Sequence, residues 1–214
     1  MAQVPDKTLS SVEMFDGQNL EGWEGEPGWW TVEDGAITAR STPDRPCTRP
    51  TYLYWKGGEP ADFVLDCEFR ISAEGNSGIQ IRSQKRPNWD TFGYQADMTG
   101  DGSLVGFVYH HQRGLVVARG QDTRITPDGK VASSPLAEAG AMETVFKRDA
   151  WNAYQICCDG ARITLLLNGV MVSRVSDEDL ATAARSGIIA LQMHPGPPMS
   201  VQFRKLRLTQ KLAE

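Results

Sequence analysis

Helical periodicity is almost missing from this chain, and so are most of the marks of common function classes. The only segment with a helical look is 176–186, Ala-rich, with Ser176 as a cap and Asp179 at the third position. One short helix at most excludes a parallel βαβ architecture. No apolar run approaches the ~18 residues of a membrane span, which argues against insertion. Basic runs are missing too. The 22 Lys and Arg are interspersed among 27 Asp and Glu for a net charge of −5, so nucleic acid and anionic membrane are poor partners. The four cysteines form no CxxC and no Cys/His zinc spacing. Cys67 falls on an apolar strand face, Cys157 and Cys158 are adjacent, and Cys47 lies in a Pro-rich loop. They read as unpaired, structurally neutral thiols. The first eleven residues lack the apolar core of a signal peptide, which fits a cytoplasmic chain or one already trimmed.

What is present is a two-residue alternation. In 63–82, Phe63, Leu65, Cys67, Phe69 and Ile71 take alternate positions, with Asp66, Glu68 and Arg70 between them. After the turn residues 74–78, Ile79 and Ile81 resume the apolar face, and Gln80 and Arg82 the other. Successive side chains of a strand point to opposite sides of a sheet, so the run reads as a pair of half-buried strands. Similar runs recur almost from end to end, about a dozen of them. Asp34-Gly35, Asp159-Gly160 and Asn168-Gly169 form tight turns between some of them. Loops are expected at 41–50, 83–92 and, longest, 121–144. With 214 residues and no interdomain linker or repeat, the chain reads as one antiparallel β-sandwich with one short helix. The domain is placed at 12–210, after an N-terminal tail of 1–11.

The polar face carries carboxylate, guanidinium and amide groups, a floor suited to a polyhydroxylated ligand. In 94–98 the polar positions are Gln95 and Asp97, and in 188–194 they are Gln192 and His194. If these strands are neighbours, Glu68, Arg70, Gln80, Arg82, Gln95, Asp97, Gln192 and His194 share the concave side of one sheet. The plain alternative is a solvated face with a surface ion pair of Glu68 with Arg70 or Arg82. His194 precedes the rigid Pro195-Gly196-Pro197-Pro198 segment, and imidazole suits proton transfer near neutral pH. The adjacent His110 and His111 read as loop or rim residues. Trp89, in a polar loop, is the tryptophan best placed to stack on a sugar, and Trp23, Trp29, Trp30, Trp55 and Trp151 read as core or staple residues.

These residues carry a family likeness. The segments 15–23 (FDGQNLEGW), 30–35 (WTVEDG), 68–70 (EFR), 75–79 (GNSGI) and 93–98 (GYQADM) resemble the 3-keto-disaccharide hydrolase family, as do 151–154 (WNAY), 167–170 (LNGV), 190–194 (ALQMH) and 201–204 (VQFR). The likeness runs in order from about Val12 to Leu208. It implies a concanavalin-like (lectin/glucanase) jelly roll, an extracytoplasmic bacterial setting and a carbohydrate substrate whose sugar carbon 3 is a ketone. It also brings hydrolase or lyase activity and a divalent metal as a candidate cofactor. The chain departs from relatives at Tyr109-His110-His111-Gln112-Arg113, where they carry a Tyr-Asp-Glu-like segment, and this bears on substrate choice and metal use.

Ordinary glycosidases need two carboxylates across the scissile bond, and Glu68 and Asp97 are the only obvious inward pair. A ketone at carbon 3 changes the requirement to one base and a positive group at the enolate oxygen. The expected catalytic set is His194 as base, with Arg82 and Glu68 as supports for the enolate; in the competing arrangement a metal held by Glu68, Asp97 or His194 stabilises it. Gln95, Asp97, Gln192, Arg70, Gln80 and Trp89 are expected to bind substrate. The alternative functions are a non-catalytic carbohydrate-binding module on the same face, with Trp89 stacking on a sugar, and a structural sandwich in an envelope assembly.

Overall fold

The structure, a computed structural model, describes residues 9–136 and 144–211. Its strands in chain order are β1 (Leu9–Glu13), β2 (Trp23–Gly25), β3 (Trp30–Glu33), β4 (Ala36–Arg40), β5 (Thr51–Trp55), β6 (Phe63–Ile71), β7 (Asn76–Arg86), β8 (Asp90–Thr99) and β9 (Val108–His110). There follow β10 (Gly114–Val117), β11 (Gln121–Ile125), β12 (Val131–Pro135), β13 (Asn152–Asp159), β14 (Arg162–Leu167), β15 (Val170–Asp177), β16 (Ile188–Met193) and β17 (Ser200–Lys211). They form two sheets stacked as a jelly-roll sandwich. The ten-stranded sheet has the order β12-β11-β15-β14-β13-β6-β17-β4-β3, with β1 also on β17, and the seven-stranded sheet has the order β10-β9-β8-β7-β16-β5-β2. All pairs are antiparallel except β11 beside β15.

The alternation seen in the sequence sets which side chains enter the core. Phe63, Leu65, Cys67, Phe69 and Ile71 of β6 are buried, as are Ile79 and Ile81 of β7, and all meet in one apolar core between the sheets. The pairing of these two strands is another matter. β6 lies between β13 and β17, and β7 between β8 and β16, so the expected strand pair is split across the sandwich. Because both strands turn their apolar faces to a common core, their polar faces point to opposite sides of the molecule. Periodicity reports the side facing the core and says nothing of the sheet a strand joins.

Three other segments differ from expectation. Residues 176–186 form no helix: Ser176 and Asp177 end β15, and the Asp179 carboxylate accepts from Ala181 N and Thr182 Oγ1 in a local turn. The buried Asp177 carboxylate instead accepts from Tyr94 Oη (2.5 Å) and Arg113, tying the two sheets together. The expected loop 83–92 is mostly strand, β7 and β8 closing in a turn where Asn88 and Trp89 have φ of 61° and 60°. The long loop 121–144 contains the hairpin of β11 and β12, and its residues 137–143 lie outside the described part. At the N-terminus, Leu9–Glu13 pair with β17, so strand begins inside the expected tail. All four cysteines are free thiols.

Candidate functional site

The outer face of the seven-stranded sheet is built from register. Gln95 of β8 lies opposite Gln80 of β7, Gln80 opposite Ala190 of β16, and Ala190 opposite Tyr54 of β5. One row along, Asp97 faces Gly78, and Gln192 faces Tyr52. Directly opposed residues of neighbouring antiparallel strands share a face, their Cβ atoms about 5 Å apart. Gly78 leaves the space over which Gln95 lies: a Cβ there would come within 2.5 Å of the Gln95 side chain.

These groups form one directed chain of hydrogen bonds. Ser83 Oγ donates to Gln80 Oε1 (2.8 Å), and Gln80 Nε2 donates to Gln95 Oε1 (2.5 Å). Gln95 Nε2 gives its two protons to Asp97 Oδ1 (2.6 Å) and Gln192 Oε1 (3.1 Å), and Gln192 Nε2 donates to Tyr52 Oη (2.8 Å). Gln192 therefore keeps a second N–H for a ligand, whereas Gln80 is wholly buried beneath its neighbours. A satellite cluster of Tyr52, Tyr54, Ile188 and Ala190 closes one side, with Trp89 packed on it and stacked against Tyr54 at 6.0 Å. Trp89 is thus half-buried by a tyrosine where the sequence indicated no neighbour.

Asp97 is the unusual member. It is 9% exposed and its one side-chain partner is the neutral Gln95 amide. Loss of solvent pushes its pKa up to about 7, the Gln95 hydrogen bond offsetting only part. Burial likewise pushes the Tyr52 hydroxyl up to about 12, so it stays a neutral phenol. His194 follows Gln192 by two residues, half-buried, with Nδ1 2.6 Å from Pro195 O. Donation from Nδ1 leaves the Nε2 lone pair free. Burial lowers the His194 pKa, partly offset by that carbonyl, so the ring is neutral at pH 7.

The structure brings together Gln80, Gln95, Asp97 and Gln192, leaves His194 just past the end of β16, and packs Trp89 on the Tyr52 and Tyr54 cluster. It does not bring Glu68, Arg70 or Arg82 to them. Glu68 and Arg70 point outward from the other sheet: Glu68 is held by Arg204 Nε (2.7 Å) and Lys205 Nζ (2.8 Å), and Arg70 by Gln202 Oε1 (2.6 and 3.0 Å). Arg82 is diverted by its own backbone. Its φ of 46° marks a bulge in β7, which breaks the alternation and turns the side chain away from Gln80. There it is 1% exposed and donates to Ala61 O (2.9 and 2.7 Å), Gly160 O (2.7 Å) and Asp62 (3.1 Å), clamping the ends of the sandwich. His110 is no rim residue. It is buried beside Tyr94, and desolvation lowers its pKa to about 4.

Because Glu68 is on the opposite sheet, Glu68, Asp97 and His194 do not converge. Among the described residues no three of His, Cys, Asp and Glu are grouped to hold a metal ion. These residues do not fit a shared metal. Sequence reasoning also passed over Tyr52, Tyr54 and Ser83. The two tyrosines could have been found, since they alternate with the core residues Leu53 and Trp55 in β5. A groove of about 840 Å³ lies on the outer face of the ten-stranded sheet. Within it Glu68 pairs with Arg204 and Lys205, and Asp66 with Arg207. The desolvated carboxyl sits on the other face, and the candidate site is placed there.

Fold and face together define a concanavalin-like β-sandwich with an enclosed, amide-rich polar site on its smaller sheet. The chain belongs to the 3-keto-alpha-glucoside-1,2-lyase-like domain family, whose sequence model matches residues 10–209. Over 110 residues it is 28% identical to a 3-keto-disaccharide hydrolase of Bacteroides thetaiotaomicron, a match covering 42% of this chain and 33% of that relative. The match therefore spans about a third of the relative's length. Among solved structures, a candidate glycosyl hydrolase from Parabacteroides distasonis superposes with a TM-score of 0.65 at 20% identity, covering 93% of this chain and 98% of that one. The carbohydrate-binding module CBM66 from Bacillus subtilis gives 0.56 at 14%, covering 87% and 94%. At these identities the structural likeness concerns the fold alone.

Proposed function

We propose that the protein cleaves glycosides whose sugar carbon 3 is a ketone, by proton abstraction at carbon 2 followed by elimination. The observation that carries this reading is Asp97, a carboxyl with a pKa of about 7 on a sheet face of amides. A ketone at carbon 3 acidifies the carbon 2 proton. A base removes it, and the C–H electron pair becomes an enolate shared with the carbon 3 oxygen. As the ketone re-forms, the carbon 1–oxygen bond breaks. The leaving oxygen keeps the bonding pair and takes a proton, and a double bond remains between carbons 1 and 2. Addition of water across that bond gives net hydrolysis; without it the enzyme is a lyase.

Asp97 is suited to both proton steps, being half-ionised near neutrality and so able to accept the proton and return it to the departing oxygen. The Nε2 atom of His194, just past the end of β16, is the second candidate base. With Arg82 and Glu68 engaged elsewhere, the neutral donor for the enolate oxygen is the second N–H of Gln192, since Gln80 and the Tyr52 hydroxyl are wholly buried. The competing reading, a sugar-binding module, uses the same amides and Trp89. It has no use for a carboxyl held half-neutral at pH 7, and this favours the enzyme. Incubation with phenyl 3-keto-glucoside should release phenol, and Asp97→Asn should lower the rate by at least ~10². Sugar binding with no phenol release by the wild type would replace the enzyme with the module.

A further inference from the structure

Beyond the amide cluster, toward the free edge of the seven-stranded sheet, the same face changes character. Tyr109 of β9 lies directly opposite Gln95, and Leu115 of β10 directly opposite Tyr109. Asp97 N donates to Phe107 O (3.0 Å), which carries the ladder one step past β9 and sets Phe107 beside Asp97. Val108, between the two aromatics, is wholly in the core, so Phe107 and Tyr109 point outward together. Phe107 is half-buried, and Tyr109 and Leu115 are 36% and 58% exposed. The neighbouring Arg113 and His111 are turned to other partners. Arg113 turns inward to Asp177 and Tyr94, and the Nδ1 atom of His111 lies 3.0 Å from Gly93 O while its ring edge braces Tyr109 at 5.7 Å.

We infer that Phe107, Tyr109 and Leu115 form a ledge for the leaving group, and that the leaving group it fits is an aromatic aglycone. This rests on the function proposed above. The direction follows from dimensions. Carbons 1 and 2 are bonded neighbours, and strands lie ~4.8 Å apart. A sugar whose carbon 2 sits at Asp97 places the first ring attached through carbon 1 about one strand away. On the other side, toward β7, that space lies over Gly78 and is taken by the Gln95 side chain, whereas on the β9 and β10 side Tyr109 and Leu115 leave it open. A second sugar would need hydroxyl partners there; the ledge offers ring faces and a branched aliphatic side chain.

The test compares kcat/KM of wild type and Tyr109→Ala on phenyl 3-keto-glucoside, methyl 3-keto-glucoside and a 3-keto-disaccharide. The ledge predicts that the variant's phenyl-to-methyl ratio falls about 3- to 10-fold, the worth of one aromatic contact, with a smaller fall in the disaccharide-to-methyl ratio. Leu115→Ser should shift the phenyl ratio in the same direction. An unchanged phenyl ratio, or an equal fall for the disaccharide, overturns the inference. Should the wild type turn over none of the three, the proposed function fails. The ledge is then judged by binding of unoxidised phenyl glucoside, which should perturb the NMR signals of the Leu115 methyls in the wild type and do so more weakly in Tyr109→Ala. No perturbation overturns it as well.

Discussion

Replacing Asp97 with Asn should make the protein more stable above neutral pH while removing its activity. The carboxyl has an ordinary pKa of 3.8 in the unfolded chain and about 7 in the fold, where burial disfavours its charge. Because the folded value is the higher, the neutral acid contributes stability that is full below pH ~4 and lost as pH rises through ~7. A gap of about three pH units at ~1.36 kcal/mol each makes this loss as much as about 4 kcal/mol at pH 8. Asparagine fills the same space, and its oxygen can still accept from Gln95 Nε2, but it carries no charge to desolvate. Urea denaturation from pH ~3.5, below the unfolded pKa, up through pH 5, 6 and 7 to 8 reads the outcome. Wild type and Asp97→Asn should be similar at the acid end, and the variant should gain as pH rises. A difference that stays constant across the range would refute the claim that Asp97 is a desolvated acid.

The pH–rate profile should rise with an apparent pKa near 7, following ionisation of Asp97; a single limb below 6.5 would assign the proton to His194, whose pKa burial lowers. Gly78→Ala should drive Gln95 from its place, removing the hydrogen bond that lowers the Asp97 pKa, so the limb should move to higher pH and the rate should fall. Arg82→Met should cost about 3 kcal/mol, or roughly 6–12 °C in Tm, because Ala61 O and Gly160 O lose a buried charged donor. Calorimetry checks this, and an unchanged Tm would mean that the clamp contributes little.

Alternation made the inward residues of β6, β7, β8 and β16 legible, and with them Gln80, Gln95, Asp97 and Gln192. These side chains need only a correct inside and outside, which the pattern supplies. The sheet each strand joins depends on long-range pairing, and the pattern is the same for either sheet. That is why Glu68 and Arg70 seemed to be neighbours of Gln80 while lying across the core from it. Arg82 was lost to a single left-handed φ that local composition does not announce. The 176–186 segment had a helix's cap and composition, but tertiary contacts took Asp177 for the inter-sheet bond to Tyr94. The unusual state of Asp97 was not legible at all, since desolvation is a property of the assembled face.

The central claim is that carbon 2 loses its proton during cleavage. Phenyl 3-keto-glucoside deuterated at carbon 2 tests this directly, with the released sugar examined by mass spectrometry at early times against a control for spontaneous exchange of the free ketose. Elimination predicts that the sugar product has lost its deuterium in step with phenol release. Full retention of deuterium, with phenol still released, would contradict the account and point to direct displacement at carbon 1.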